Sequence, residues 1–360
     1  MMTANVEPTA SKNRIPEIDA LRGICAATVM LYHYIVRYDA LIGFSGHPNP
    51  AADVNLTGFR DWGLMPVYVF FIISGFVIYM TVSRIKTGTQ FVVSRASRLF
   101  PVYWVAVTLT YLTWKLAPAY AFTVPIKQYL INLTMLQTFF MVPSVDGVYW
   151  SLGVELAFYF GMWLLVFTGN LNKIRGACLV WLVVSFLYGV LGDHPPFYFR
   201  AVLLMDLKYA HFFVAGIVFY RMWRRQHDLY DWLSLAACAG NVFVHHTPGA
   251  ALVLLGFFGV FLLVSFNRLK ALAWPPLLYL GMISYPLYLI HQMIGYEIIS
   301  AVSSNHFLGI VIAVVTAIVL ASILTFAVEQ PALRALRSAM KRGLPASSPT
   351  VSENAEQAIT

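Results

Sequence analysis

Arg22 and His33 stand eleven residues apart in the first apolar run of this 360-residue chain. On a helix, eleven residues make about three turns plus 20°, so the two side chains share a face about 16 Å apart along the axis. A neutral imidazole at that depth can act as a general base toward a hydroxyl, and a guanidinium near the start of the run can grip an anion. Each also has a plainer reading: Arg22 as a snorkelling topology anchor, His33 as a packing histidine bonded to a neighbouring helix. Glu155 and His291 fall inside two later apolar runs, and Arg95 and Arg98 lie one turn apart just ahead of the third. Such a pair can clamp phosphates, hold lipid headgroups or report orientation. Ser284, Tyr288 and His291 fall at i, i+4 and i+7, on one helix face with Tyr285 beside it. That face is either a hydrogen-bond seam of a bundle or a set of groups able to bond an oxyanion or an acceptor.

The elements that must carry these residues are set by composition. The chain is 59% hydrophobic and 11% charged, too few charges for the surface of a soluble domain. Apolar runs of about 16 to 24 residues recur, the length needed to cross the hydrocarbon layer as helix. The expected fold class is an all-α integral membrane bundle of about ten spans, near 20–38, 64–82, 99–117, 148–168, 176–192, 207–223, 231–246, 249–267, 277–300 and 307–328. The seventh is the weakest, interrupted by Asn241. Residues 126–140 read as an interfacial or re-entrant helix.

The net charge of +8 does not point to nucleic acid, because Lys and Arg concentrate between apolar runs. With ten spans and both termini cytoplasmic, 18 Lys/Arg lie inside and only Arg37, Arg60, Lys115, Lys127, Arg200 and Lys208 outside, as the positive-inside rule requires. The 83–98 segment is then a cytoplasmic loop. His33, Glu155 and His291 fall at one level, about 20 Å from the cytoplasmic face. Cys25, Cys178 and Cys238 are widely spaced inside apolar segments; they read as small core residues, with neither a disulfide framework nor a metal site expected. The first run carries Arg22 and His33 and no cleavage pattern, so it reads as a retained span.

Six segments, in order, resemble the acyltransferase 3 family of bacterial membrane O-acyltransferases. They are RIPEIDALRGICAATVMLYHY with Arg22 and His33, VFFIISGFVI with Ser74, Gly75 and Phe76, and SRASRLFPVYW with Arg95, Arg98, Pro101 and Tyr103. They continue as YWSLGVELAFYF with Trp150, Ser151, Leu152 and Glu155, ISYPLYLIHQ with Ser284, Tyr285, Tyr288 and His291, and the closing VEQPALR. The resemblance implies transfer of an acyl group, acetyl by default, from cytoplasmic acyl-CoA to a sugar hydroxyl of a surface polysaccharide or its lipid-linked precursor. It implies His33 as the catalytic residue and Arg22, Arg95 and Arg98 as the donor site. With no permanently bound cofactor, acetyl-CoA is a co-substrate. Glu155 is expected to assist His33, and Ser74, Trp150, Tyr285, Tyr288 and His291 are the acceptor or oxyanion residues.

The expected organisation is a cytoplasmic tail over 1–13, an acyltransferase membrane domain over 14–334 and a disordered cytoplasmic tail over 335–360, in the bacterial inner membrane. A small-molecule acceptor, a macrolide or a lipo-oligosaccharide, is the alternative within the enzyme class. Buried Arg, His and Glu also mark transporters, but no internal repeat of the transporter kind is present.

Overall fold

A computed structural model of the chain describes residues 15–38, 62–85, 87–116, 124–192, 199–302 and 305–342. The tail 1–13, Arg60, Lys86 and the tail past Leu344 lie outside the described residues.

The regular secondary structure of the described residues is all helix, with no strand among them. The helices are α1 (Pro16–Tyr32), α2 (Pro66–Val82), α3 (Gly88–Leu116), α4 (Ile126–Asn132), α5 (Trp150–Phe167), α6 (Ile174–Leu191), α7 (Phe199–Leu204), α8 (Ala210–Trp223), α9 (Leu229–His245), α10 (Pro248–Ser265), α11 (Pro275–Ala301), α12 (His306–Leu324) and α13 (Gln330–Arg342). Among the described residues, six stretches are long and apolar enough to cross a membrane by length and composition: Gly147–Phe167, Leu171–Leu191, Val202–Trp223, Pro248–Ser265, Pro275–Ala301 and Phe307–Ala335. The protein is therefore a multi-pass membrane protein, and helix also covers the other expected apolar runs. The 126–140 stretch forms only the short α4 followed by turns.

Local chemistry explains where helices begin and end. α2, α10 and α11 start with Pro in the first turn, where a missing N–H costs nothing. α9 runs unbroken through Asn241, whose Nδ2 donates to the Ala237 carbonyl at 3.0 Å. Its start is fixed by a capping box between Asp228 and Asp231.

Two expectations need correction. The 83–98 segment is not a loop over its full length: α3 begins at Gly88 and carries Arg95 and Arg98 on helix. Pro101 is an interior residue of this helix. The tail expected as disordered from 335 is helical to Arg342; Ala, Leu, Arg, Met and Lys dominate that stretch, all strong helix formers.

α11 is the central strut, packed along α1, α12 and α3, while α2 packs mainly on α8. Both principal crossings depend on glycine. A Cβ on Gly23 of α1 would stand 2.6 Å from the Gly281 nitrogen of α11. At the second crossing, Gly75 of α2 and Gly216 of α8 meet backbone directly: a Cβ on either would overlap the carbonyl of Phe213 or Ile72. Small residues of this kind allow helix axes to approach closely in a bilayer. The two contacts hold Arg22 and Ser74, each next to a crossing glycine.

Two π-helical segments interrupt the regular ladders: His33–Arg37 continues α1, and Thr325–Glu329 joins α12 to α13. The Tyr38 N–H bonds back to the His33 carbonyl, five residues earlier. Such widened turns reset the direction of the side chains they carry.

Candidate active site

Two cavities meet among α1, α2, α3, α5 and α11. The inner one, about 120 Å³, is lined by Arg22, Ser74, Arg95, Arg98, Glu155, Tyr285 and Tyr288, together with Ser151, Tyr159 and Ser284 and an apolar wall that includes Phe70 and Phe71. The outer one is a vestibule of about 900 Å³ lined by Asp19, Arg22, Arg84, Arg95, Arg98, Glu329 and Gln330, among others. Arg22, Val77, Arg95 and Arg98 belong to both walls, so three guanidinium groups stand at the neck.

The neck carries an excess of positive charge. Arg98 Nη1 pairs with Glu329 Oε1 at 2.7 Å, Glu329 being 4% exposed in the second π-helical segment. Arg22 lies 4.0 Å from Asp19, one turn earlier on α1. Arg95 bonds Ser94 Oγ at 3.1 Å, and its Nε is buried without a partner. Among the described residues no carboxylate forms an ion pair with it. Phosphate recognition by bidentate, charge-assisted bonds is the chemistry such a cluster can do.

Past the neck, Glu155 accepts hydrogen bonds from Ser74 Oγ at 2.7 Å and from Tyr159 OH at 2.5 Å. Tyr285 OH donates to the Leu99 carbonyl at 2.9 Å, tying α11 to α3 just beyond Arg98. Tyr288 OH donates to the Val148 carbonyl at 3.1 Å and lies 2.7 Å from Ser151 Oγ.

One turn further along α11, His291 meets His33. His291 Nε2 and His33 Nδ1 are 3.1 Å apart, and the rings are 6% exposed for His33 and wholly buried for His291. His33 Nδ1 also lies 2.9 Å from the Val29 carbonyl, and His291 Nδ1 lies 3.1 and 2.9 Å from the carbonyls of Leu287 and Tyr288. Tyr34 OH donates to the His291 carbonyl at 2.7 Å, a second bolt between α1 and α11. The ring centres of Tyr288 and His291 are 5.9 Å apart, so one wall residue of the inner cavity neighbours the histidine pair.

Of the ten residues given a site role from sequence, seven line the inner cavity, and His33 and His291 are paired outside its lining, next to Tyr288. Trp150 instead packs among aromatic rings, 6.1 Å from Phe71 and 5.7 Å from Tyr209. Glu155 shares the cavity but is bonded to Ser74 and Tyr159, and among the described residues no hydrogen bond joins it to either histidine. Three further residues belong to the site without standing out in the sequence. Tyr159 sits one turn after Glu155 on α5, Tyr34 directly follows His33, and Glu329 belongs to the closing Glu-x-Pro run. For Glu329 the motif was the available signal; for Tyr159 it was the i, i+4 spacing.

Imidazoles sealed inside a helical bundle, with arginines between them and a polar vestibule, mark a multi-pass membrane enzyme, and sequence comparison supplies its class. Residues 15–328 match a family model described as an acyltransferase domain, and the chain belongs to this acyltransferase 3 family. It is an O-acyltransferase. Among curated proteins it is similar to the exopolysaccharide production protein ExoZ of Rhizobium meliloti strain 1021, at 30% identity over 64% of this chain and 75% of that protein. It is also similar to nodulation protein 10 of Rhizobium leguminosarum bv. viciae, at 24% identity over 77% of this chain and 84% of that protein. No solved structure matches.

Proposed function

We propose that this protein transfers an acetyl group from acetyl-CoA, held in the arginine-necked vestibule, to a sugar hydroxyl of an exopolysaccharide or its lipid-linked precursor. The observation that carries the reading is the passage from a wide basic vestibule through Arg22, Arg95 and Arg98 to a narrow cavity whose wall residue Tyr288 lies beside His291, the partner of His33. CoA is polyanionic at its nucleotide end and carries the thioester on a long arm, and wide-basic-then-narrow is the shape that suits it. The arm's amides would meet Glu155 and Ser74. The acceptor class follows from the name of the relative ExoZ, an exopolysaccharide production protein.

In the reaction, His33 removes the hydroxyl proton as the sugar oxygen attacks the thioester carbonyl. The carbon–sulfur bond breaks, and the departing CoA thiolate takes the proton back from His33. Neighbouring hydroxyls such as Tyr288 can bond the tetrahedral oxyanion. The vestibule end faces the cytoplasm, where acyl-CoA is found, and the protein lies in the bacterial inner membrane with ten spans and both termini inside; the Lys/Arg distribution supports this topology.

The test is release of free CoA from acetyl-CoA by purified protein in lipid nanodiscs, alone and with a lipid-linked oligosaccharide. Acceptor-stimulated release that disappears in His33→Ala is expected. A wild-type protein that releases no CoA under either condition overturns the reading and favours a transporter.

A further inference from the structure

We propose that His291 is the positioning residue of His33: it helps fix which ring nitrogen of His33 is free to take a proton, and it shares the positive charge that follows. The inference rests on the reading of His33 as the base and adds the atom and the partner.

Hydrogen-bond roles assign the protons. His291 Nδ1 faces the carbonyl oxygens of Leu287 and Tyr288, at 3.1 and 2.9 Å. Carbonyls only accept, so this nitrogen carries the hydrogen. A neutral imidazole has one N–H, which leaves a lone pair on His291 Nε2, the atom 3.1 Å from His33 Nδ1. The other neighbour of His33 Nδ1 is the Val29 carbonyl at 2.9 Å, again an acceptor. Both neighbours demand the hydrogen on His33 Nδ1, and His33 Nε2 is left with its lone pair. The two rings thus have one mutually consistent arrangement, with a hydrogen on each Nδ1.

When His33 Nε2 takes the hydroxyl proton, the Nδ1–H of the new imidazolium points at a neutral acceptor nitrogen. In a Ser-His-Asp triad a carboxylate holds that place. Inside a membrane bundle a neutral imidazole avoids the standing cost of a buried carboxylate. The His291 ring is held firmly in this orientation, because it is wholly buried, its Nδ1 is anchored twice, and Tyr34 OH secures its carbonyl to α1.

Two variants separate the role from bulk packing. His291→Gln keeps an acceptor oxygen in reach of His33 Nδ1, whereas His291→Leu keeps volume and removes the acceptor. With both proteins accumulating and monodisperse, the Gln variant is expected within about tenfold of wild-type kcat and the Leu variant to fall about 10²-fold or more, each at unchanged acetyl-CoA KM. Equal kcat in the two variants overturns the proposal. Nitrogen-15 spectra of histidine-labelled protein, with His33→Gln to assign the signal, are expected to show His33 protonated on Nδ1 and bare on Nε2; a protonated Nε2 overturns it. The spectrum needs no turnover, so a wild-type protein without CoA release would sink the functional reading while the ring assignment is still read on its own.

Discussion

Arg95 and Arg98 sit one turn apart on α3 yet should answer differently to removal. Arg95 has no carboxylate partner among the described residues, so Arg95→Ala should leave accumulation intact and raise acetyl-CoA KM about ten- to hundredfold, the worth of a bond to a charged group. Arg98→Ala also strands Glu329, 4% exposed and paired at 2.7 Å, and should cost on the order of 2–3 kcal/mol of stability. Adding Glu329→Gln should restore thermal stability in detergent without restoring KM; a double variant as unstable as Arg98→Ala would show that the ion pair is not what matters. At His33 the two effects separate in the opposite sense. His33→Ala should accumulate normally and lose about 10²–10⁴ in rate, read as CoA release, and a variant of wild-type activity would remove His33 from the chemistry. The placing of Arg22 and His33 on one helix was legible from sequence, because the apolar run and its periodicity define that element. The pairing of His33 with His291 was not, since depth in the bilayer gives one coordinate and leaves rotation about the other helix open. Glu155 shows the same limit: estimated at the level of the histidines, it turns toward Ser74 and Tyr159.

Among the helices, the positions of the apolar runs were readable because length and composition are enough to define them. The ends were less so. The third run was placed at 99–117 although its helix begins at Gly88, and the helical stretch past 334 was hidden in a polar, basic segment without a span's hydrophobicity. What holds the elements together was not visible at all, because a glycine that permits a crossing looks in sequence like any other glycine. Gly281 and Gly161 make a matched comparison. A Cβ on Gly281 would overlap the Asp19 carbonyl of α1, whereas one on Gly161 of α5 meets nothing within 4 Å. Gly161→Ala should therefore be neutral or stabilising by up to about 1 kcal/mol. Gly281→Ala should force α1 off α11, lower the melting temperature in detergent and reduce CoA release with it. Equal melting temperatures for the two variants would show that the crossing tolerates a wider spacing.

For the whole molecule, the charge distribution predicts an orientation that chemical labelling can read. Cys25, Cys178 and Cys238 are all buried, so the wild-type chain provides a low background for a thiol probe. An exposed Thr87→Cys should resist a membrane-impermeant maleimide in intact cells and react in inverted membrane vesicles. Labelling from outside would reverse the proposed topology. The pairing of His33 with His291 spans 258 residues of chain. At roughly 5–20 residues per second on the ribosome, α11 is synthesised about 13–50 s after α1. Throughout that interval the nascent chain carries the proposed base His33 in the bilayer without its partner ring His291, and Arg98 lacks its ion-pair partner Glu329. On the proposed mechanism, each copy of the enzyme therefore completes its site only as its last helices are inserted.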